Sequence, residues 1–270
     1  MKNVHLLVID PQVDFCDPTG ALYVKGAEKD IGRLASFVKK GKEKITDIHV
    51  TLDSHHLIDI AHPLFWCDQN GQMPKPFTII TAQDVKDGKF RTKMPSHQKR
   101  ATEYVDKLAV NSRYPLCIWP AHCLIGSAGY AVMEPLFSAL MEWEGQQFHP
   151  VDFVTKGSNP WTEHYSAVQA DVPDPKDPST QINSRLIDTL MDADTVLVAG
   201  EAGSHCLANT VRDIANNFKN EDYVKKIILL EDGTSPVTGF ENFQDDFVKE
   251  MTARGMQITT TAAQITEWGK

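Results

Sequence analysis

The sequence predicts an α/β fold, a three-layer sandwich in which a mostly parallel central sheet of about six strands carries helices on both faces. Short apolar runs of the length of buried strands recur along the chain and alternate with segments of helical periodicity. Strands that are apolar along their whole length are typical of parallel sheets covered on both sides. The chain has 270 residues, 41% of them hydrophobic, which is enough for one large core. We therefore expect a single domain over residues 1–270.

The individual elements follow from these runs in chain order. Apolar runs predict strands at residues 4–9, 48–52, 151–155, 196–199 and 227–230. Apolar residues spaced three and four apart predict helices over 31–38, 207–218 and 243–251. Gly255 is placed to end the last of these helices, because glycine adopts the left-handed conformation that closes many helices.

Two stretches interrupt the alternation of strands and helices. Residues 67–115 contain four prolines and one polar helical segment near 97–110, and we interpret them as an insertion within the domain. Long irregular segments of this kind are commonly functional, and this one could be a lid or a contact between subunits. The second stretch, 172–178, ends at Ser179, which we interpret as the N-cap of the following helix.

The composition argues against several classes of function. Lys and Arg number 27 against 36 Asp and Glu, and this net charge of −9 disfavours a nucleic-acid-binding surface. No apolar run approaches the roughly 18 residues that indicate a membrane span, and residues 4–9 are too short for a secretory signal. Five cysteines without a Cys-x-x-Cys pair argue against a disulfide framework. We expect a cytoplasmic enzyme or binding protein that acts on a small molecule, as a monomer or a homo-oligomer.

Reactive side chains follow four of the predicted strands. Asp10, Asp53 and Lys156 end the first three, and Cys206 follows the fourth after a short turn. Because ligands bind at the carboxyl ends of parallel strands, we expect these side chains to share one site. Each of them alone would more often be a helix cap or a solvated turn residue.

Cys206 is the candidate nucleophile. It lies where residues 200–205 turn from a strand into the helix that starts near Leu207, and a helix N-terminus lowers the pKa of a thiol. Asp10 could accept the thiol proton and Lys156 could stabilise the thiolate. The alternative is a buried structural cysteine.

Asp53-Ser54-His55 suggests a metal site. Residues two apart in an extended segment point to the same side, so the carboxylate and the imidazole could share an ion. His122 could be a third ligand, and the further candidates for a fourth are His56, Asp59 and His62. The alternative is a histidine-rich polar loop without a metal.

Together these segments resemble the nicotinamidase and isochorismatase-like cysteine hydrolases. The resemblance covers most of the chain outside 67–115 and rests on five motifs in family order: VIDPQVDF at 8–15, LDSH at 52–55, WPAHC at 119–123, TKG at 155–157 and GEAGSHCL at 200–207. It implies a catalytic triad and one divalent metal ion, zinc, iron or manganese. The implied triad is Asp10, Lys156 and Cys206; the implied ligands are Asp53, His55 and His122.

The same resemblance implies how a substrate would be held. Phe15 and Trp119 match positions that sandwich an aromatic ring. A cis peptide would join Glu201 to Ala202, and the N–H groups of Ala202 and Cys206 would hold an oxyanion. The chain departs from the family pattern at Glu201, where an aliphatic residue is usual, and at Gly203-Ser204, where a Thr-Asp pair is common. We expect these departures to reshape the wall of the pocket.

The activity that the resemblance implies is hydrolysis of nicotinamide to nicotinate and ammonia through a thioester, a step of NAD salvage. Within the family, the alternative is another small amide, such as an N-carbamoyl or ureido compound. The isochorismatase branch is disfavoured by Cys206, which its reaction does not need. Outside catalysis, the alternatives are a silent small-molecule-binding homologue and a redox sensor based on Cys206.

Overall fold

The computed structural model describes residues 2–111 and 114–270. Within them lie ten strands: β1 (Val4–Ile9), β2 (Asp47–Asp53), β3 (Trp66–Asp68), β4 (Ile79–Ile80), β5 (Phe90–Thr92), β6 (Leu116–Cys117), β7 (Asp152–Lys156), β8 (Thr195–Gly200), β9 (Ile227–Leu230) and β10 (Gln257–Thr259). The helices of the same residues are α1 (Val13–Cys16), α2 (Ala27–Gly41), α3 (Ala82–Lys86), α4 (Gln98–Asn111), α5 (Leu136–Gln147), α6 (Ser184–Asp192), α7 (Cys206–Asn217), α8 (Glu241–Arg254) and α9 (Thr261–Trp268). None of these helices has the length and apolar content needed to cross a bilayer.

Six strands form one parallel sheet in the order β10-β9-β8-β1-β2-β7. The chain moves from β1 to one edge and then returns through β8 to the other edge. Right-handed crossovers therefore place α2 and α5 on one face and α6, α7 and α8 on the other. In agreement, α2 packs against α5 and α9, whereas α7 packs against α8. The predicted α/β fold is confirmed, and its central strand β1 is buried along its whole length.

The strand order reverses between β1 and β8. At such a reversal the connections from two neighbouring strands leave toward opposite faces and open a crevice at the carboxyl ends. Asp10 follows β1, and a tight turn after β8 leads into α7 at Cys206. Sheet topology alone therefore brings two distant parts of the sequence to one crevice.

Residues 66–111 and 114–117 form a small subassembly beside the main sheet. β3 pairs with β5 and β4 pairs with β6, both antiparallel, and the predicted polar helix is α4. The N–H groups of Phe77 and Ile118 donate to the carbonyls of Ile118 and Thr78, respectively. The insertion thus supports the backbone that leads to Trp119. The assignment of the whole chain, residues 1–270, to a single domain stays a prediction.

The helix start predicted at Ser179 is wrong. The carboxylate of Asp177 accepts the N–H of Ser179 and caps a short 3-10 turn, Pro178–Thr180. The helix begins five residues later, where the side chain of Asn183 accepts the N–H of Leu186. Aspartate and asparagine both cap well, so the sequence offers three candidate caps within seven residues.

Candidate active site and metal centre

Lys156 lies at the centre of the group of polar residues at the carboxyl edge of the sheet. It pairs in register with Asp53 on the neighbouring strand and is buried. Its Nζ lies 3.0 Å from Asp10 Oδ2 and 3.0 Å from Asp53 Oδ1. It also donates to the carbonyl of His164 at 3.0 Å and to Cys206 Sγ at 3.6 Å. The structure therefore brings together the three residues predicted as a triad, and one buried cation serves two buried carboxylates.

Asp10 is held from the neighbouring strand β2. Its backbone has a φ of +42°, and its N–H donates to Thr51 Oγ1 at 3.0 Å. The Thr51 hydroxyl donates in turn to Asp10 Oδ1 at 2.5 Å. Burial raises the pKa of Asp10, while the charge of Lys156 opposes that rise. A carboxylate with a raised pKa is a better proton acceptor than an exposed one.

Cys206 is the first residue of α7, as the strand-to-helix turn predicted to within one residue. Burial raises the pKa of its thiol well above the usual value, and Lys156 offsets only part of that effect. The helix N-terminus was expected to lower this pKa, whereas burial of the thiol acts in the opposite direction and is the larger effect of the two that oppose each other here, burial and Lys156. The direction of this shift favours the thiol over the thiolate in the resting protein.

Four side chains form a second group beside Lys156. The Nε2 atoms of His55 and His122 lie 3.1 Å and 3.5 Å from Asp53 Oδ2. His62 joins them, since one nitrogen from each of the three imidazoles lies within 4.8 Å of the other two. Among the three candidates for a fourth ligand, His62 is the one whose ring lies in this group. Asp59 instead binds His55 Nδ1 at 3.0 Å, from the side away from Asp53.

The outer nitrogens of the three imidazoles all face acceptors. The Nδ1 atoms of His55, His62 and His122 face Asp59 Oδ2, the His56 carbonyl and the Pro120 carbonyl at 3.0, 3.1 and 2.8 Å, respectively. The Nε2 atoms are then the ring nitrogens directed toward the centre of the group. In metal sites, carbonyl or carboxylate acceptors at the outer nitrogen orient the histidine ligands in this way. His62 Nε2 is buried with no hydrogen-bond partner among the described residues. Three imidazoles and one carboxylate fit a divalent ion of the zinc, iron or manganese group.

A cleft of about 380 Å³, including the space open to solvent, adjoins both groups. Phe15 and Trp119 line it, together with Cys206, Ala202, Asp53 and His122, and their packing against a substrate ring stays a prediction. The sequence did not indicate six further lining residues: the polar Glu163, Tyr165 and His205 and the apolar Leu22, Val24 and Val237. Glu163 and Tyr165 follow Lys156 in an irregular segment without helical or strand periodicity. The one feature of the sequence that could have indicated them is the polar triplet Glu-His-Tyr at 163–165, which lies among apolar residues instead of in a polar surface loop.

The residues that depart from the family pattern do not line the cleft. Glu201 is buried, and its Oε2 accepts the N–H of Ser235 at 3.1 Å. Ser204 Oγ accepts the N–H of Val237 at 3.0 Å and lies 2.9 Å from the Nδ1 of His205. Glu201 and Ser204 therefore do not line the cleft themselves, but Ser204 bonds to His205 and Val237, which do. The peptide between Glu201 and Ala202 is cis, as the resemblance implied.

Comparison with solved structures agrees with this architecture. The structure of yeast nicotinamidase superposes with a TM-score of 0.64 at 19% identity, covering 95% of this chain and 99% of the other. A nicotinamidase/pyrazinamidase of Acinetobacter baumanii gives 0.62 at 18% identity over 98% and 99% of the two chains. Pyrazinamidase of Pyrococcus horikoshii, solved in complex with zinc, gives 0.57 at 21% identity over 96% and 99%. No family model and no curated protein matches the sequence.

At these identities the comparisons establish the fold. The chain has the fold of the nicotinamidases and pyrazinamidases along nearly its whole length. The fold expected from the motif resemblance is therefore confirmed. Substrate and mechanism depend on the residues of the site.

Proposed function

We propose that this protein is a metal-assisted cysteine amidohydrolase of the nicotinamidase type, which converts nicotinamide to nicotinate and ammonia. The observation that carries the proposal is the position of Lys156 Nζ, within 3.0 Å of Asp10 and 3.6 Å of Cys206 at the edge of an aromatic cleft. A thiol, a buried base and a cation in contact supply what cysteine catalysis needs. A silent binding homologue has no use for this charged group, whose burial is costly.

The reaction would begin with transfer of the Cys206 proton to Asp10, and Lys156 would stabilise the thiolate. Attack on the carboxamide carbon forms a C–S bond and an oxyanion, which the N–H groups of Ala202 and Cys206 would hold. Asp10 then returns its proton to the departing ammonia, leaving a thioester. Water, activated by Asp10, hydrolyses the thioester and restores the thiol.

Asp53, His55, His62 and His122 would hold the divalent ion. When bound, the ion would take the ring nitrogen of the substrate as a ligand, which orients the ring and withdraws electron density from it. Phe15 and Trp119 would pack against the two faces of the ring. Orientation of this kind contributes several kcal/mol to catalysis.

The choice of an aromatic amide rests on the pairing of a histidine-rich centre with aromatic walls. Another small amide, such as an N-carbamoyl or ureido compound, remains the second candidate, but it offers no ring for Phe15 and Trp119 to contact. We further propose a place in NAD salvage and a cytoplasmic location. All five cysteines are free, which is usual for a reducing compartment.

The test is ammonia release from nicotinamide by protein of known metal content. Cys206→Ala should lower turnover by at least about 10⁴-fold, since nucleophile removal has that scale, while metal content stays unchanged. Cys67→Ala, which removes another buried thiol, should keep wild-type turnover. Release by Cys206→Ala at the wild-type rate would overturn the assignment of the nucleophile. Absence of release by folded, metal-loaded wild-type protein would favour a different amide or a binding protein.

A further inference from the structure

A second cluster of histidine and aspartate lies at the opposite end of the sheet from the cleft. His5 on β1 and His49 on β2 are both buried, and Asp47 begins β2 as the register partner of His5. One potential ligand atom from each of these three residues lies within 4.8 Å of the other two. The proposed amidase reaction uses none of them. We infer that they bind a second divalent transition-metal ion.

The hydrogen bonds around the two imidazoles define where their lone pairs point. His49 Nδ1 faces Asp152 Oδ2 at 3.0 Å, and His5 Nε2 faces Asn3 Oδ1 at 3.2 Å. A carboxylate and an amide oxygen only accept, so each of these ring nitrogens carries the proton. The side chain of Asn3 is oriented by its amide nitrogen, which donates to the carbonyl of Asp192 at 3.3 Å.

In neutral rings with protons on those two outer nitrogens, the inner nitrogens face each other as acceptors. His49 Nε2 and His5 Nδ1 are 3.1 Å apart. Two lone pairs at this distance repel unless a cation lies between them. That cation is either a shared proton or a metal ion, and the metal stoichiometry of the protein distinguishes the two. Zinc–nitrogen bonds of about 2.0–2.1 Å in a tetrahedral site separate two nitrogens by roughly 3.3 Å, close to the distance observed.

Asp47 supplies the third ligand and the route of entry. Its Oδ2 lies 4.0 Å from His49 Nε2, and its side chain is 24% exposed, so water and ions reach it. Asp152, which supports His49, is itself paired with Arg185 at 3.1 Å. Two imidazoles and one carboxylate favour zinc, cobalt or nickel over magnesium or calcium. An ion here would join β1 to β2 directly, near the amino-terminal ends of these strands and far from Cys206.

The experiment measures metal stoichiometry in protein stripped with a chelator, reloaded with zinc and freed of excess by gel filtration. We expect two equivalents in the wild type and one in each of His49→Gln and His122→Gln, because these substitutions remove different sites. His149→Gln is the matched control: this half-exposed histidine lies 3.5 Å from Asp47 but does not belong to the cluster, and we expect two equivalents.

Titration with cobalt, followed by its visible absorption, gives a second readout. In His122→Gln, the cobalt spectrum that remains should disappear when the second substitution Asp47→Asn is introduced. Asp47 is partly exposed, so this variant should fold even if His49→Gln does not. The inference would be overturned if the wild type bound only one equivalent of zinc, and if this zinc were lost in His122→Gln and kept in His49→Gln. If the single zinc of the wild type were instead kept in His122→Gln and lost in His49→Gln, the second site would be supported. The same result would contradict the metal centre of the proposed amidase.

Discussion

At the scale of single residues, the site depends on Lys156, whose charge is shared by two carboxylates. Burial lowers the pKa of Lys156, but Asp10 and Asp53 outweigh that effect, and the net pKa lies well above the usual value. The ammonium group is therefore charged at all physiological pH values. Its removal leaves Asp10 and Asp53 close together and without their common partner, a strongly destabilising change in a buried site.

We predict that Lys156→Met abolishes turnover and lowers the free energy of unfolding by about 3 kcal/mol. Urea denaturation measures the second effect. The control is Lys39→Met, which removes an exposed lysine 3.9 Å from Glu142 and should cost less than about 1 kcal/mol. Equal stability of the two variants would show that Lys156 does not hold the carboxylates together.

His62 is the residue whose role the sequence left most open. It was one of three candidates for a fourth ligand, and only the fold shows that its unpaired Nε2 joins His55 and His122. Burial lowers its pKa to about 4, so the ring is neutral near pH 7, as a metal ligand must be. His56, six residues earlier, has an exposed side chain and contributes its backbone carbonyl.

We predict that His62→Gln weakens metal binding by at least about tenfold, since even supporting residues of metal sites contribute that much. His56→Gln should bind like the wild type, because the carbonyl that accepts from His62 remains. Competition with a chromogenic chelator measures both affinities. A wild-type affinity in His62→Gln would remove this residue from the ligand set.

At the scale of elements, the sequence was most informative where burial is continuous. The five runs assigned as strands all appear in the sheet, but β10 was not assigned, because it has only three residues and lies at an exposed edge. The reactive residues were found because strand ends are easy to locate. The lining residues Glu163 and Tyr165 lie on an irregular segment that no periodicity describes. The raised pKa of Cys206 also depends on tertiary burial, which local sequence does not encode.

Close contact between β1 and β8 limits the residue at the end of β8. Gly200 has a φ of +105°, and a Cβ there would lie 2.1 Å from the carbonyl oxygen of Ile9. This contact sets the distance between the turn that leads to Cys206 and the strand that leads to Asp10.

We predict that Gly200→Ala destabilises the protein by at least about 2 kcal/mol more than Gly88→Ala. Gly88 also has a positive φ, +70°, but open space where its Cβ would be, so it reports backbone strain alone, about 1–2 kcal/mol. The additional cost at Gly200 comes from steric overlap with backbone that cannot move freely. Thermal or urea unfolding measures the stability of the two variants. Equal losses of stability would mean that β1 and β8 move apart at little cost in free energy.

At the scale of the whole molecule, burial of neutral histidines should make the fold sensitive to acid. Burial lowers the pKa of His205 to about 4, against 6.5 for the unperturbed side chain. As the pH falls through about 6.5, the unfolded chain takes up a proton at this residue, whereas the folded protein does so only near pH 4. Proton uptake therefore favours the unfolded state over this window, and stability falls as the pH is lowered.

We predict that His205 alone accounts for a loss of about 3 kcal/mol between pH 7.5 and pH 4, the free-energy equivalent of its change in pKa. His205→Gln keeps a polar side chain against Trp119 and Tyr165 but has no proton to bind. Urea unfolding of both proteins at the two pH values isolates this contribution, because all other titrating groups are common to them. The variant should lose less stability on acidification than the wild type, by about that amount. Identical losses in the two proteins would mean that the imidazole is protonated in the folded state already near pH 6.5, and that the wall of the cleft admits water to it.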